Sequence, residues 1–155
     1  MPARKLKEFL DSHNVEYVSI THSRAYTAQE VAASTHIRGK EFVKTVVVKL
    51  DGKMALAVLP ATRKVDLDAL KQAAGAHKAE LATEQEFQYM FPECETGAMP
   101  PFGNLYGMDV YADTSLREDE EIAFNAGSHT EVIRMAYQDF ERLVNPKIAN
   151  IAQAG

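Results

Sequence analysis

The chain has 155 residues, 46% of them hydrophobic and 25% charged, with one cysteine and a net charge of −5. These values match globular averages and exclude a disordered chain, a collagen-like repeat and a disulfide-stapled miniprotein. Cys94 alone allows neither an internal disulfide nor a thiolate metal cage, and no apolar run reaches the ~18 residues of a membrane span.

The N-terminus, Met1-Pro-Ala-Arg-Lys, leads into a charged amphipathic stretch and lacks a signal-peptide core, so the expectation is a cytoplasmic protein with no membrane partner. At this length residues 1–155 read as a single domain, with 145–155 as a C-terminal tail. Charge is distributed unevenly. Arg38, Lys40, Lys44, Lys49, Lys53, Arg63 and Lys64 face only Glu41 and Asp51 between His36 and Lys64, a local basic block in an acidic chain. Such a block suits a polyanion that touches one face, although taken alone it reads better as an unevenly charged solvated surface.

Leu6, Phe9 and Leu10 recur at helical spacing and predict a helix over residues 3–12, followed by a strand from Val15 to Thr21. Thr27 and Glu30 have capping-box spacing ahead of a helical run from Ala28 to Ala33. The β-branched stretch Phe42 to Leu50, the Asp51-Gly52 turn and Met54 to Leu59 predict a hairpin. Asp66 caps a helix through Ala74 that ends at Gly75, and Ala76 to Leu81 reads as a short strand. Thr83 and Glu86 form a second capping box, and a turn-rich loop runs from Pro92 to Asn104. Strands follow at Asp109 to Ala112, Glu121 to Asn125 and Glu131 to Ala136, then a helix from Gln138 to Val144 that stops before Asn145-Pro146 and leaves a frayed tail. Strands outnumber helices without strict βαβ alternation. The fold class is therefore α+β: a curved, largely antiparallel mixed sheet, partly closed as a barrel and flanked by short helices.

Three segments stand out chemically. In Phe42-Val-Lys-Thr-Val-Val-Val-Lys-Leu50, Lys44 shares the more apolar face with Phe42, Val46, Val48 and Leu50. Two readings stay open: a desolvated ammonium awaiting an anion, or a lysine that snorkels to water along its stem. In Glu95-Thr-Gly-Ala-Met-Pro-Pro-Phe-Gly-Asn104, two glycines bracket two prolines, a stiff loop able to present backbone groups to a ligand or simply to turn the chain. In Phe124-Asn-Ala-Gly-Ser-His-Thr130, His129 can move a proton near neutral pH. Ser128 and His129 are neighbours whose side chains diverge in an extended chain, which disfavours a hydrolase dyad. GxSxG, P-loop, GxGxxG and HExxH motifs are absent, and His13, His22, His36 and His77 lack ligand spacing, so neither a metal nor a cofactor is expected.

In this order the three segments resemble the aminoacyl-tRNA deacylase editing domains, the YbaK-like proteins and the insertion domain of bacterial prolyl-tRNA synthetases. The likeness runs from the first helix to about Val144. It rests on Phe42-Val-Lys-Thr-Val-Val-Val, similar to the family's lysine strand, and on Gly97-Ala-Met-Pro-Pro101-Phe-Gly, similar to its GxxxP loop. It implies a trans-acting hydrolase without metal or covalent nucleophile, cleaving the ester between a small non-cognate amino acid and the tRNA 3′-terminal ribose. Lys44, Gly97 and Pro101 are the catalytic positions it implies. Tyr26, Thr45, Met99, Phe102, Gly103, Asn125, Gly127, Ser128 and His129 are the substrate-binding ones. Partners would be the acceptor end of aminoacyl-tRNA and a delivering synthetase or elongation factor. The rival reading is a module that binds aminoacyl-tRNA or a synthetase without turnover.

Overall fold

A computed structural model describes residues 4–21, 41–91 and 93–154. Helix α1 (Arg4–Ser12) buries Leu6 and Leu10, one turn apart on the same face. Asn14, in the left-handed region at φ 55°, turns the chain into strand β1 (Tyr17–Thr21). The expected hairpin is β2 (Val43–Leu50) with β3 (Lys53–Pro60), joined where Asp51 and Gly52 take φ of 52° and 83°. Positive φ at both central residues is what a tight hairpin turn demands. Asp51 does more than turn: its carboxylate accepts the amides of His77 at 2.9 Å and Lys78 at 2.8 Å.

Strand β4 (Arg63–Val65) precedes α2 (Leu67–Ala74), which is capped as expected by the Asp66 side chain on the Ala69 amide and by Gly75 at φ 66°. Strand β5 (Ala79–Leu81) and the single turn α3 (Glu84–Phe87), with both capping-box bonds made, lead into the loop that ends in a 3₁₀ turn at Gly103–Leu105. Strands β6 (Asp109–Asp113), β7 (Glu121–Asn125) and β8 (Glu131–Ala136) and helix α4 (Tyr137–Val144) complete the expected elements.

Pairing is largely antiparallel, in sheets ordered β1-β8-β7 and β5-β2-β3-β6-β9, where β9 is Lys147–Ala149. Strand β6 runs parallel to both β3 and β9. A parallel bridge between Phe42 and Ala123 joins the two sheets without closing a barrel among the described residues. The main core fills the space inside this curve, with Val43, Val47, Leu56, Val58, Phe124, Ile133 and Phe140 among its members. A second cluster of Val48, Leu50, Ala57 and Tyr111 takes Leu70 of α2 on the other side of the larger sheet, and Phe42, Ala123 and Val132 form a third.

The chain end corrects the sequence reading. Instead of fraying, residues after Pro146 form β9 and then β10 (Ala152–Ala154), antiparallel to β4. The cause is Asp113, which is only 3% exposed and accepts the amides of Ile151 at 2.9 Å and Ala152 at 3.1 Å, while the Ile151 side chain is fully buried.

Candidate active site

Part of the expected site, the Gly97 loop and the Asn125–His129 turn, gathers at the C-terminal end of β7. Lys44 lies opposite Leu59 in the hairpin. Phe42 and Ala123 form an isolated parallel bridge, and Lys44 and Asn125 each follow it by two residues, on β2 and at the end of β7. Period-two alternation puts both on the face of the Phe42, Ala123 and Val132 cluster. Lys44 is part-buried, and desolvation holds its pKa below that of an ordinary lysine, with no carboxylate among the described residues to offset it. The Oδ1 of Asn125 is buried and accepts no hydrogen bond among the described residues. Among the described residues, a part-buried cation without an anion and a buried acceptor without a donor thus follow the same bridge.

The Gly97 loop is bonded directly to the turn after β7. The Glu95 amide donates to the Gly127 carbonyl at 2.8 Å, and the Gly127 amide returns a bond to the Ala98 carbonyl at 2.8 Å. The Glu95 carboxylate accepts the His129 amide at 2.8 Å, and His129 Nε2 donates to the Thr96 carbonyl at 2.9 Å. Because a carbonyl can only accept, this bond places the imidazole proton on Nε2. Gly97 at φ 84° and Gly127 at φ 89° occupy backbone space that other residues enter only with strain. The amides of Gly97 and Met99 have no acceptor among the described residues.

Other expected site residues occupy different surroundings. Phe102 is fully buried, with Phe9, Phe124 and Phe140 rings at 6.1, 5.7 and 5.7 Å, and it anchors the loop together with Met99. Gly103 is a close approach: a Cβ there would stand 2.6 Å from the Met108 carbonyl oxygen and from Val110 Cγ2. Pro101 is buried in the loop. Thr45 projects to the opposite face of β2 from Lys44, between Val43 and Val47, with its hydroxyl buried and unpartnered among the described residues. The Ser128 hydroxyl meets that of Thr130 at 2.8 Å and accepts the Thr130 amide, a local turn and not a dyad with His129. Tyr26 and the Thr27–Glu30 capping box lie outside the described residues.

Glu95 went unassigned in the sequence, although its bonds join the loop to the turn. The available signal was a carboxylate two residues ahead of a loop glycine, which has no specificity by itself. The basic block is divided. Lys49 is held by Glu80 and Glu86, and Lys53 by Asp109 at 3.6 Å, whereas Arg63 and Lys64 are exposed on β4; Arg38 and Lys40 lie outside the described residues. An open groove of about 770 Å³, lined by Tyr17, Val18, Glu121 and Arg134, lies at the start of β7, the end away from Asn125.

The aminoacyl-tRNA editing domain family matches residues 22–143, most of the chain and all of this constellation. The chain belongs to that family. The editing domain is 29% identical over 155 residues to the multifunctional Ser/Thr-tRNA deacylase ProXp-y of Escherichia coli K12, covering 95% of this chain and 90% of that one. A segment of 85 residues, 55% of this chain, is 28% identical to 15% of the proline–tRNA ligase of Bacillus mycoides. Among solved structures, a proposed trans-editing enzyme for prolyl tRNA synthetase superposes with a TM-score of 0.84 at 20% identity, covering 99% of this chain and 98% of that one. The hypothetical protein APE2540 gives 0.87 at 18% identity, over 97% and 100% of the two chains. At those identities the likeness establishes the α+β fold. Among the described residues no helix is long and apolar enough to cross a membrane.

Proposed function

We propose that this editing domain acts in trans as an aminoacyl-tRNA deacylase, hydrolysing the ester between a small amino acid and the tRNA 3′-terminal ribose, with seryl and threonyl esters as the substrates to test first. The observation that carries the reading is that the same bridge leads to a desolvated Lys44 on β2 and to a buried Asn125 Oδ1 on β7, unpartnered among the described residues, two residues ahead of the turn that is bonded to the Gly97 loop. The substrate choice is supported by the name of the E. coli relative.

The roles follow from chemistry. An aminoacyl ester at the CCA end brings a phosphate, an ester carbonyl and an α-ammonium. Lys44 pairs with the phosphate, which restores what burial took from its charge. Asn125 Oδ1 accepts from the α-ammonium. The amides of Gly97 and Met99, held by a loop stiffened at Pro100 and Pro101, supply donors for the carbonyl oxygen as it gains negative charge. Attack by water on the carbonyl carbon then breaks its bond to the ribose oxygen, which takes up a proton as the amino acid leaves. Holding the reactants in register supplies much of the rate, so no side-chain nucleophile is required. Phe102 and Gly103 serve the site by anchoring the loop, and His129 by bonding Thr96.

A separate editing site has a physical rationale. A synthetase pocket separates near-isosteres by only about 1–3 kcal/mol per methylene, so wrong esters form and must be removed elsewhere. With a net charge of −5, the domain relies on local cations such as Lys44, Arg63 and Lys64 for the acceptor end, and on delivery by a synthetase or elongation factor. The test is incubation with tRNAs charged with alanine, serine, threonine, cysteine or proline. Rapid loss of the seryl and threonyl esters, slowed steeply by added salt, is expected. Binding that protects these esters without cleaving them contradicts the proposal and identifies a non-catalytic module.

A further inference from the structure

We propose that Glu95 is a positioning residue for deacylation: it clasps the Gly97 loop to the Gly127–His129 turn and so fixes the loop amides where the ester carbonyl binds. This inference rests on the functional reading above. Glu95 engages both sides at once. Its amide donates to Gly127, its carbonyl accepts the Ala98 amide at 3.0 Å, and its carboxylate accepts the His129 amide. The last bond sets the backbone from which the imidazole reaches the Thr96 carbonyl.

The placement of the anchors separates this role from general structural support. Met99 and Phe102 fasten the downstream half of the loop in the main core. Upstream, Thr96 and Gly97 are exposed, and residues 95–98 bond to one another and to the turn. Losing the carboxylate therefore leaves the core packing intact and frees the segment that carries the Gly97 amide. A displacement of about 1 Å in such a segment costs a reaction on the order of 10²-fold.

The experiment compares Glu95→Ala and Glu95→Gln with the wild type by steady-state deacylation of seryl-tRNA, by thermal unfolding, and by long-range ¹⁵N spectra of the His129 ring recorded where it is neutral. Glutamine keeps an acceptor oxygen for the His129 amide; alanine does not. The expected result for Glu95→Ala is a kcat lowered ~10²-fold, a KM changed less than about threefold, a Tm near that of the wild type and loss of the single Nε2–H tautomer. Glu95→Gln should recover most of the rate and the tautomer. An unchanged kcat in Glu95→Ala overturns the proposal, as does an unchanged tautomer, and the spectra decide even if the wild type cleaves no tRNA ester. Failure of Glu95→Ala to fold contradicts a clasp that spares the core. Inactivity of the wild type itself counts against the deacylase reading, a result distinct from any of these.

Discussion

His129 rests on Gly97: a Cβ built on that glycine would stand 3.6 Å from Cε1 of the ring, an ordinary contact. Space is thus not what demands glycine there. The backbone does, at φ 84°. Gly103 reverses the case, with no left-handed φ and a Cβ position only 2.6 Å from the Met108 carbonyl oxygen. Gly97→Ala should therefore cost about 1–2 kcal/mol of stability, and Gly103→Ala about 3 kcal/mol or more, since backbone must move. Denaturant unfolding checks the order; a more stable Gly103→Ala protein contradicts it.

Lys44 carries a pH prediction. Its folded pKa lies below the ordinary 10.5 because burial disfavours the ammonium. Charge at Lys44 therefore costs stability below the lowered folded value, and the cost fades as pH rises from there to the unfolded value. Lys44→Met should be at least as stable as the wild type at neutral pH and should lose this alkaline rise. Stability curves from pH 7 to 11 measure both effects, and a strongly destabilised Lys44→Met protein would show that the lysine supports the fold.

Glu86 carries a pH prediction at the acid end, where its charge stabilises the fold. The Lys49 ammonium first, and the Thr83 amide second, hold its carboxyl at about 2. Its contribution is complete above the ordinary value of 4.5 and is lost as pH falls through about 2. Side-chain carboxyl NMR should find Glu86 titrating near 2, and Lys49→Met should move it more than about one unit towards 4.5. Titration near 4.5 in the wild type rules out the ion pair in solution.

Asp113 is the lock on the chain end. Its carboxylate accepts the amides of Ile151, Ala152 and, at 3.2 Å, Ser115. Removing a buried charged acceptor leaves those amides unsatisfied, so Asp113→Ala should cost about 3 kcal/mol and speed hydrogen exchange across β4 and β10. Asp113→Asn, which retains one acceptor oxygen, should recover part of the loss. Unchanged exchange in the alanine variant contradicts the lock.

What could be read in advance was local chemistry. The β-branched run from Phe42 to Leu50 ahead of Asp51-Gly52 specifies the hairpin, because strand propensity and a positive-φ turn are both properties of neighbouring residues. Asp66, and Thr83 with Glu86, mark helix starts for the same reason. Strands β9 and β10 escaped because three residues carry no periodicity and their hold, Asp113, is distant in sequence. The site divides in the same way. Lys44 was visible as a cation on an apolar strand face, and the Gly97 loop as a stiff turn. Their common ground at Asn125 depends on the Phe42–Ala123 bridge, a long-range register no local pattern encodes. Apolar loop residues mislead for a related reason: Phe102 belongs to a conspicuous motif, yet its ring is consumed by the core.

The most direct measurement is single-turnover deacylation of seryl-tRNA by the wild type and by Lys44→Ala, with the fold of each verified by circular dichroism and tRNA binding measured alongside. The account predicts rapid ester loss with the wild type and a rate reduced at least ~10²-fold without the lysine, in a protein that remains folded. Equal rates from the two folded proteins would contradict it, because the hydrolysis would then owe nothing to the Lys44 ammonium.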